Sequence, residues 1–96
     1  MKHGRIDLNQ MKIADSLRDM GCSVQSLAGV GSGCPDLLVG FQGHNYLFEI
    51  KNPERSGKQG KPRKNQQKFI FGWRGQVAVI KTFDDAFSII ARDNFP

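Results

Sequence analysis

Apolar residues occur along the chain in two patterns, one with helical spacing and one in short runs, and these patterns predict the first elements. In residues 7–20, DLNQMKIADSLRDM, the apolar positions follow a helical spacing and Gly21 comes directly after, which predicts a first helix. The polar turn at residues 42–45 predicts a hairpin. Short apolar runs bounded by Gly, Pro and polar residues predict three strands, at residues 22–27, 36–41 and 46–51.

The second half of the chain shows both patterns again after a polar interruption. Residues 65–73 predict a second helix, and the apolar residues of QVAVIK, residues 76–81, predict a fourth strand. Thr82 followed by Phe and two aspartates predicts the N-cap of a terminal helix that reaches about Arg92. The order α-β-β-β-α-β-α predicts an α/β domain with one central mixed sheet flanked by helices.

Size and charge narrow the class of protein. The 96 residues make a single domain, residues 1–96, and a net charge of +5 suits an anionic partner such as nucleic acid. No run of about 20 apolar residues could span a bilayer, and the N-terminal MKHGRIDLNQ lacks the apolar core of a signal peptide. We therefore expect a cytoplasmic protein without a membrane partner, in which Cys22 and Cys34 are reduced structural thiols.

Three charges interrupt the hairpin strands, where apolar residues are expected. Glu49 and Lys51 are two residues apart and project from the same face, and Asp36 begins the partner strand. Pairing across the loop can bring the two carboxylates together, and such carboxylates repel unless a cation lies between them. Mg²⁺ accepts these oxygen ligands and can activate water against a phosphodiester, while a lysine stabilises the transition state. Alternatively, Asp36 is a cap and Glu49 and Lys51 form a solvated pair on an edge strand.

Pro35-Asp36 followed by Glu49-Ile50-Lys51 resembles the signature of the PD-(D/E)xK nucleases, and the spacing of Asp36 and Glu49 is in their usual range. More narrowly, the chain resembles a stand-alone VRR-NUC domain of the phage and bacterial type. The similarity rests on GCPDLLVG, LFEIKN, QQKFIFGWRGQVAVIKT and the closing DDA, and it covers about residues 10–91. It implies a restriction-endonuclease-like fold and an endonuclease that depends on Mg²⁺ or Mn²⁺.

The resemblance also implies roles for individual residues. Gln67 competes with Gln66 for the role of a supporting glutamine on the second helix, but the spacing to Phe69 and Trp73 favours Gln66. The matching catalytic residues are Asp36, Glu49, Lys51 and Gln66, and the matching metal ligands are Asp36, Glu49 and the main-chain carbonyl of Ile50.

Gln10 departs from the family pattern, because related nucleases commonly carry a glutamate at this place on the first helix. A neutral amide is a poorer metal ligand than a carboxylate. The number of metals per site is therefore open, and Asp7 or Asp15 are the carboxylates that could replace the glutamate.

A basic segment at residues 52–65 lies between the strand of Lys51 and the second helix. Its cations can follow a phosphate backbone without reading bases, although a solvated charge run is the alternative. The glycine-rich residues 31–33 either let the main chain approach a phosphate or form a plain turn. We expect Phe69 and Trp73 to be core residues of the second helix. The predicted DNA-binding residues are Lys58, Lys61, Arg63, Lys64 and Ser32, with Arg55 beside them.

The leading hypothesis is a structure-selective DNA endonuclease that acts on branched DNA such as Holliday junctions. One active site cuts one strand, so symmetric cutting of both strands needs two copies. The resemblance to small junction-resolving nucleases suggests a C2 homodimer that acts on branched DNA. Two alternatives stay open, a nicking or restriction-like nuclease on duplex DNA and a DNA-binding module without catalysis. The presence of Asp36, Glu49 and Lys51 together argues against the last.

Overall fold

The computed structural model describes residues 8–52 and 64–95, and within them seven elements follow the predicted order. The α/β class and the mixed sheet with helices are confirmed. The helices are α1 (Leu8–Asp19), α2 (Lys64–Gly72) and α3 (Phe83–Asn94), and the strands are β1 (Ser23–Ser26), β2 (Leu37–Phe41), β3 (His44–Ile50) and β4 (Val77–Ile80).

The four strands form one sheet in the order β1-β2-β3-β4. The first three are antiparallel neighbours, and β4 runs parallel to β3, because α2 carries the chain back to the starting end of the sheet. The end of β3, the end of β4 and the start of β2 therefore meet at one end of the sheet. Across the described residues, no helix has the length and apolar composition needed to cross a membrane.

The hairpin between β2 and β3 is tighter than the predicted turn over residues 42–45. Only Gln42 and Gly43 form the loop, and both have positive φ angles, 48° and 86°. Two-residue loops of this kind follow the natural twist of the strands. β3 therefore begins at His44, two residues earlier than predicted, and Phe41 pairs with His44.

The main core lies on one face of the sheet, under α1 and α3. Alternate residues of β2 and β3 point into it, among them Val39 and Phe48, and Leu17 of α1 and Ile90 of α3 pack against them. These four side chains have no exposed surface. Consecutive strand residues face opposite sides, so their neighbours in the strands point away from this core.

Tyr46 ties the end of α3 to the core. Its buried hydroxyl donates a hydrogen bond to Asp93 Oδ2 at 3.0 Å and accepts one from Asn94 Nδ2 at 3.3 Å. Burial first, and then the Asp93 hydrogen bond, raises the pKa of the Tyr46 phenol. The other end of α3 is capped at Thr82, as predicted, by a reciprocal pair of hydrogen bonds with Asp85.

The prediction that Trp73 is a core residue is wrong, and Phe69 is only half-buried. Trp73 follows the end of α2 with 48% of its surface exposed. The two rings stack on each other with centroids 5.0 Å apart and an angle of 12°. Helical spacing brought the rings together as expected, but they cover one another and α2 has no fully buried residue.

Candidate functional site

β2 and β3 carry the two candidate metal-ligand carboxylates to one end of the sheet. Leu37 pairs with Phe48, and extending this register by one residue places Asp36 opposite Glu49. Because Leu37 and Phe48 point into the main core, Asp36 and Glu49 both point to the opposite face. The hairpin thus puts the two carboxylates on neighbouring positions of adjacent strands.

Asp36 is held at the start of β2 by both its side chain and its main chain. Its Oδ2 atom accepts a hydrogen bond from the main-chain N–H of Ile50 at 2.7 Å. Its carbonyl oxygen accepts a hydrogen bond from the N–H of Leu27 at 2.9 Å, which prolongs the pairing with β1. The carboxylate is therefore fixed beside the end of β3.

Pro35 lies where a ladder donor to the Ile50 carbonyl would be expected, at the end of β3 beside Asp36. The extended register puts Pro35 opposite Ile50, where the next pair of ladder hydrogen bonds would form. Proline has no N–H, so it cannot donate to this carbonyl. Since the N–H and C=O of one strand residue point to the same side, the Ile50 carbonyl faces the side on which Asp36 lies. Pro35 is buried. Besides being part of the sequence signature, it ends the ladder of hydrogen bonds between β2 and β3.

Glu49 is the one charged side chain that is buried in the described ranges, with 6% of its surface exposed. A buried carboxylate is costly unless charges or hydrogen bonds compensate it. The two carboxylates also affect the neighbouring thiol of Cys34. Burial first, and then the charges of Asp36 and Glu49, raises the pKa of the Cys34 thiol. Cys34 and Cys22 are both free cysteines.

Lys51 follows β3 directly and is half-buried. Its N–H donates a hydrogen bond to the carbonyl of Ile80 at 2.8 Å, which belongs to the last parallel pair of β3 and β4. Lys51 lies one residue beyond β3, and extending the strand alternation by that residue places its side chain on the face of Glu49. The lysine and the two carboxylates share one end and one face of the sheet.

Gln66 lies in the first turn of α2 and is half-buried, whereas Gln67 is exposed. The start of α2 rests against the loop before β2. A methyl group at Gly33 would lie 2.7 Å from the main-chain carbon of Asn65 and 3.0 Å from the nitrogen of Gln66. This contact, which the sequence pattern did not identify, brings Gln66 next to the loop that leads into Asp36. The suggestion that Gly33 lets the main chain approach a phosphate is not supported here, because helix main chain fills that space.

Gln10 lies on the stripe of α1 that carries the buried residues Ile13, Ala14 and Leu17. The preceding residue, Asn9, donates a hydrogen bond from Nδ2 to the carbonyl of Lys81 at 3.2 Å. The first turn of α1 is thus at the end of the sheet where β3 and β4 end. Asp15 is exposed and forms an ion pair with Arg18 at 3.4 Å. Asp7 lies outside the described residues.

Of the predicted DNA-binding residues, Lys64 and Ser32 are described and both are exposed. Ser32 has a φ of 57° in a turn closed by a hydrogen bond from Cys34 N to Gly31 O at 3.0 Å. The remaining cations, Arg55, Lys58, Lys61 and Arg63, lie outside the described residues.

The candidate donors at the end of the hairpin are oxygen atoms, the donor type that a hard divalent cation takes. Within residues 8–52 and 64–95, no three His, Cys, Asp or Glu side chains form a group that could hold a metal. Mg²⁺ usually takes only one or two carboxylates and completes its octahedron with waters and substrate oxygens. Asp36, Glu49 and the Ile50 carbonyl are such a partial set. A cavity of about 180 Å³ at the opposite end of β3 contains none of these residues.

Comparisons with models of known protein families, with curated proteins and with solved structures each found no match.

Proposed function

We propose that the protein is a divalent-metal-dependent DNA endonuclease with a PD-(D/E)xK fold. The observation that carries the proposal is the placement of Asp36 opposite Glu49, with Lys51 on the same face and at the same end of the sheet. Two neighbouring carboxylates, one of them buried, repel each other. A divalent cation bound between them would offset this repulsion.

Asp36, Glu49 and the Ile50 carbonyl would hold Mg²⁺ or Mn²⁺. When bound, such an ion activates water and offsets charge that develops on a phosphodiester. The ammonium group of Lys51 orients the attacking water and stabilises the negative transition state. Gln66, next to the loop that leads into Asp36, supports the geometry of the site.

The proposed substrate is DNA, and the resemblance to junction-resolving nucleases favours branched DNA. The net charge of +5 suits a phosphate polymer. The basic segment and Lys64 would follow the phosphate backbone without reading the bases. A C2 homodimer would present two sites for symmetric cutting of a Holliday junction.

The test is cleavage of labelled Holliday junction, flap and duplex DNA by the purified protein with Mg²⁺, Mn²⁺ or EDTA. Asp36→Asn and Lys51→Ala should abolish cleavage in every metal. Lys81→Ala is the matched control, because Lys81 follows the end of β4 as Lys51 follows the end of β3. It removes the same charge from the neighbouring strand and should cleave as the unchanged protein does.

The outcomes separate the competing functions. Cleavage in EDTA, or cleavage that survives Asp36→Asn, would exclude the proposed metal site. Equal cleavage of duplex and junction would favour a nicking or restriction-like nuclease. Binding of DNA without cleavage in any metal would leave a DNA-binding module.

A further inference from the structure

The outer face of α2 combines cations with a fully exposed aromatic ring. Lys64, Lys68 and Phe71 are four and three residues apart, so they lie on one face of the helix. Both lysines are exposed, and Phe71 has 95% of its surface in solvent. This face is opposite to the one on which Phe69 stacks with Trp73. Phe71 therefore contributes almost nothing to the folding of this chain.

The helix that carries Phe71 has positive side chains and no negative ones. α2 has the sequence KNQQKFIFG, without an acidic residue, and Trp73 and Arg74 follow it. Phe87 of α3 provides the contrast, because it is 41% exposed on a helix that carries Asp84, Asp85 and Asp93. The exposed ring of α2 thus has a positive environment that the exposed ring of α3 lacks.

We propose that Lys64, Lys68 and Phe71 bind an unpaired stretch of the DNA strand, with a base stacked on Phe71 and phosphates on the two lysines. From Lys64 to Phe71 the helix rises by about 10 Å, which is close to the length of three stacked nucleotides at ~3.4 Å each. Aromatic rings bind unpaired bases by stacking, whereas the faces of paired bases are covered within a duplex.

This inference rests on the proposed function only in taking DNA as the substrate, and it gives a physical basis for selecting branched DNA. Flaps and junctions with frayed arms offer unpaired bases close to a backbone that can be cut. Duplex DNA would contact the lysines but leave the Phe71 ring without a base.

A second copy of the chain fits this face less well. In a two-fold symmetric contact the same patch lies on both sides, so Lys64 and Lys68 would approach the lysines of the partner. Like charges placed together oppose such an association. DNA has negatively charged phosphates for the two lysines and flat bases that can stack on Phe71.

The test measures binding in EDTA, so that it does not depend on cleavage. A short single strand with one 2-aminopurine and the matching duplex are titrated with the full chain by fluorescence and anisotropy. Phe71→Ala should weaken single-strand binding by about 5- to 150-fold, the range for loss of one stacked base, and change duplex binding by less than about twofold. Phe71→Trp should restore single-strand binding and 2-aminopurine quenching.

Phe87→Ala is the matched control and should bind both DNA forms as the unchanged protein does. The double change Lys64→Ala with Lys68→Ala should weaken both forms and reduce the salt slope by about two. Equal effects of Phe71→Ala on single strand and duplex would overturn the proposal. So would no effect on either, or a sedimentation result in which Phe71→Ala only dissociates a dimer. If the stacking effect is seen but no DNA is cleaved, only the endonuclease proposal fails.

Discussion

The carboxylate of Asp36 accepts a hydrogen bond of 2.7 Å from the main-chain N–H of Ile50, at the point where the pairing of β2 with β3 ends. A side chain therefore takes the place of the next main-chain acceptor in the ladder. Asp36 has a structural role through this bond in addition to its proposed role as a metal ligand. The two roles use different properties, because the hydrogen bond needs only an oxygen acceptor, whereas the proposed metal site also uses the negative charge of the carboxylate.

Substitution of Asp36 by Ala and by Asn should separate these roles. Asp36→Ala leaves the Ile50 N–H without its acceptor and should lower the free energy of unfolding by about 1–3 kcal/mol. Asp36→Asn keeps an oxygen acceptor and should lower it by less than about 1 kcal/mol. Urea unfolding of the three proteins without metal gives these values. Equal stability of the Ala and Asn variants would show that the hydrogen bond contributes little in solution.

Divalent metal should stabilise the folded chain. A ligand that binds only the folded state raises the free energy of unfolding by about 2.7 kcal/mol at a concentration one hundred times its dissociation constant. Thermal unfolding should therefore shift upward with increasing Mg²⁺ or Mn²⁺. Glu49→Gln removes one proposed ligand charge and should remove most of the shift.

The control for the metal effect is Asp19→Asn, which removes an exposed carboxylate at the end of α1. This variant should keep the full metal-dependent shift. A shift of equal size in Glu49→Gln would indicate that the metal binds elsewhere on the chain.

A side chain at Gly33 should be destabilising for two reasons, the backbone conformation and a close contact. The same substitution at Gly31 tests the first reason alone. Both glycines have a φ of 77°, so alanine at either position costs about 1–2 kcal/mol. Only Gly33 lies against the main chain of Asn65 and Gln66, whereas a methyl group at Gly31 would meet nothing within 4 Å. Gly33→Ala should therefore be the more destabilising change, by a further 1–3 kcal/mol or so.

Cleavage activity is a second measurement that tests the Gly33 prediction, because Gly33 contacts the start of α2. If the start of α2 moves away from the loop before Asp36, Gln66 moves with it, and cleavage should fall more in Gly33→Ala than in Gly31→Ala. Chemical denaturation and cleavage rates of the two variants make the comparison. Equal losses of stability would mean that the loop relaxes around the added methyl group.

The element order could be predicted because each element depends on local information. Helical spacing with Gly21 after it identified α1, and Thr82 with its aspartates identified the start of α3. The hairpin bringing Asp36 beside Glu49 was also local, since a short turn fixes the register of the strands it joins. Exposure of Trp73 was not predictable in this way, because helical spacing places two rings together without specifying what covers them.

The supporting parts of the site depend on contacts between distant segments. Gly33 and Asn65 are far apart in sequence, and their contact follows from the return of α2 across the sheet. Pro35 was visible in the signature, but its effect on the Ile50 carbonyl depends on the register two residues beyond the last β2–β3 pair. Charge patterns indicated which residues could bind a metal, and the packing of loop and helix determines how they are supported.

Asp85 should make the stability of α3 depend on pH. Its Oδ2 accepts hydrogen bonds from the N–H groups of Lys81 at 2.8 Å and Thr82 at 3.1 Å. The pKa of the Asp85 carboxyl is lowered in the folded chain, mainly by the hydrogen bond from Lys81. The hydrogen bonds with Thr82 lower it further. A lowered folded-state pKa means that the unfolded chain takes up the proton first as the pH falls. The stabilisation is therefore complete above the ordinary Asp value of 3.8 and is lost as pH falls through the folded-state pKa.

Asp85→Asn keeps one acceptor oxygen but not the charge, and at neutral pH it should lower the free energy of unfolding by about 0.5–2 kcal/mol. The difference from the unchanged protein should shrink as the pH falls below 3.8. Asp84→Asn is the matched control, because it removes a charge from the same helical turn without touching the two hydrogen bonds. Urea unfolding across this pH range measures both variants. A difference for Asp85→Asn that stays constant with pH would mean that the carboxylate charge contributes nothing to this cap.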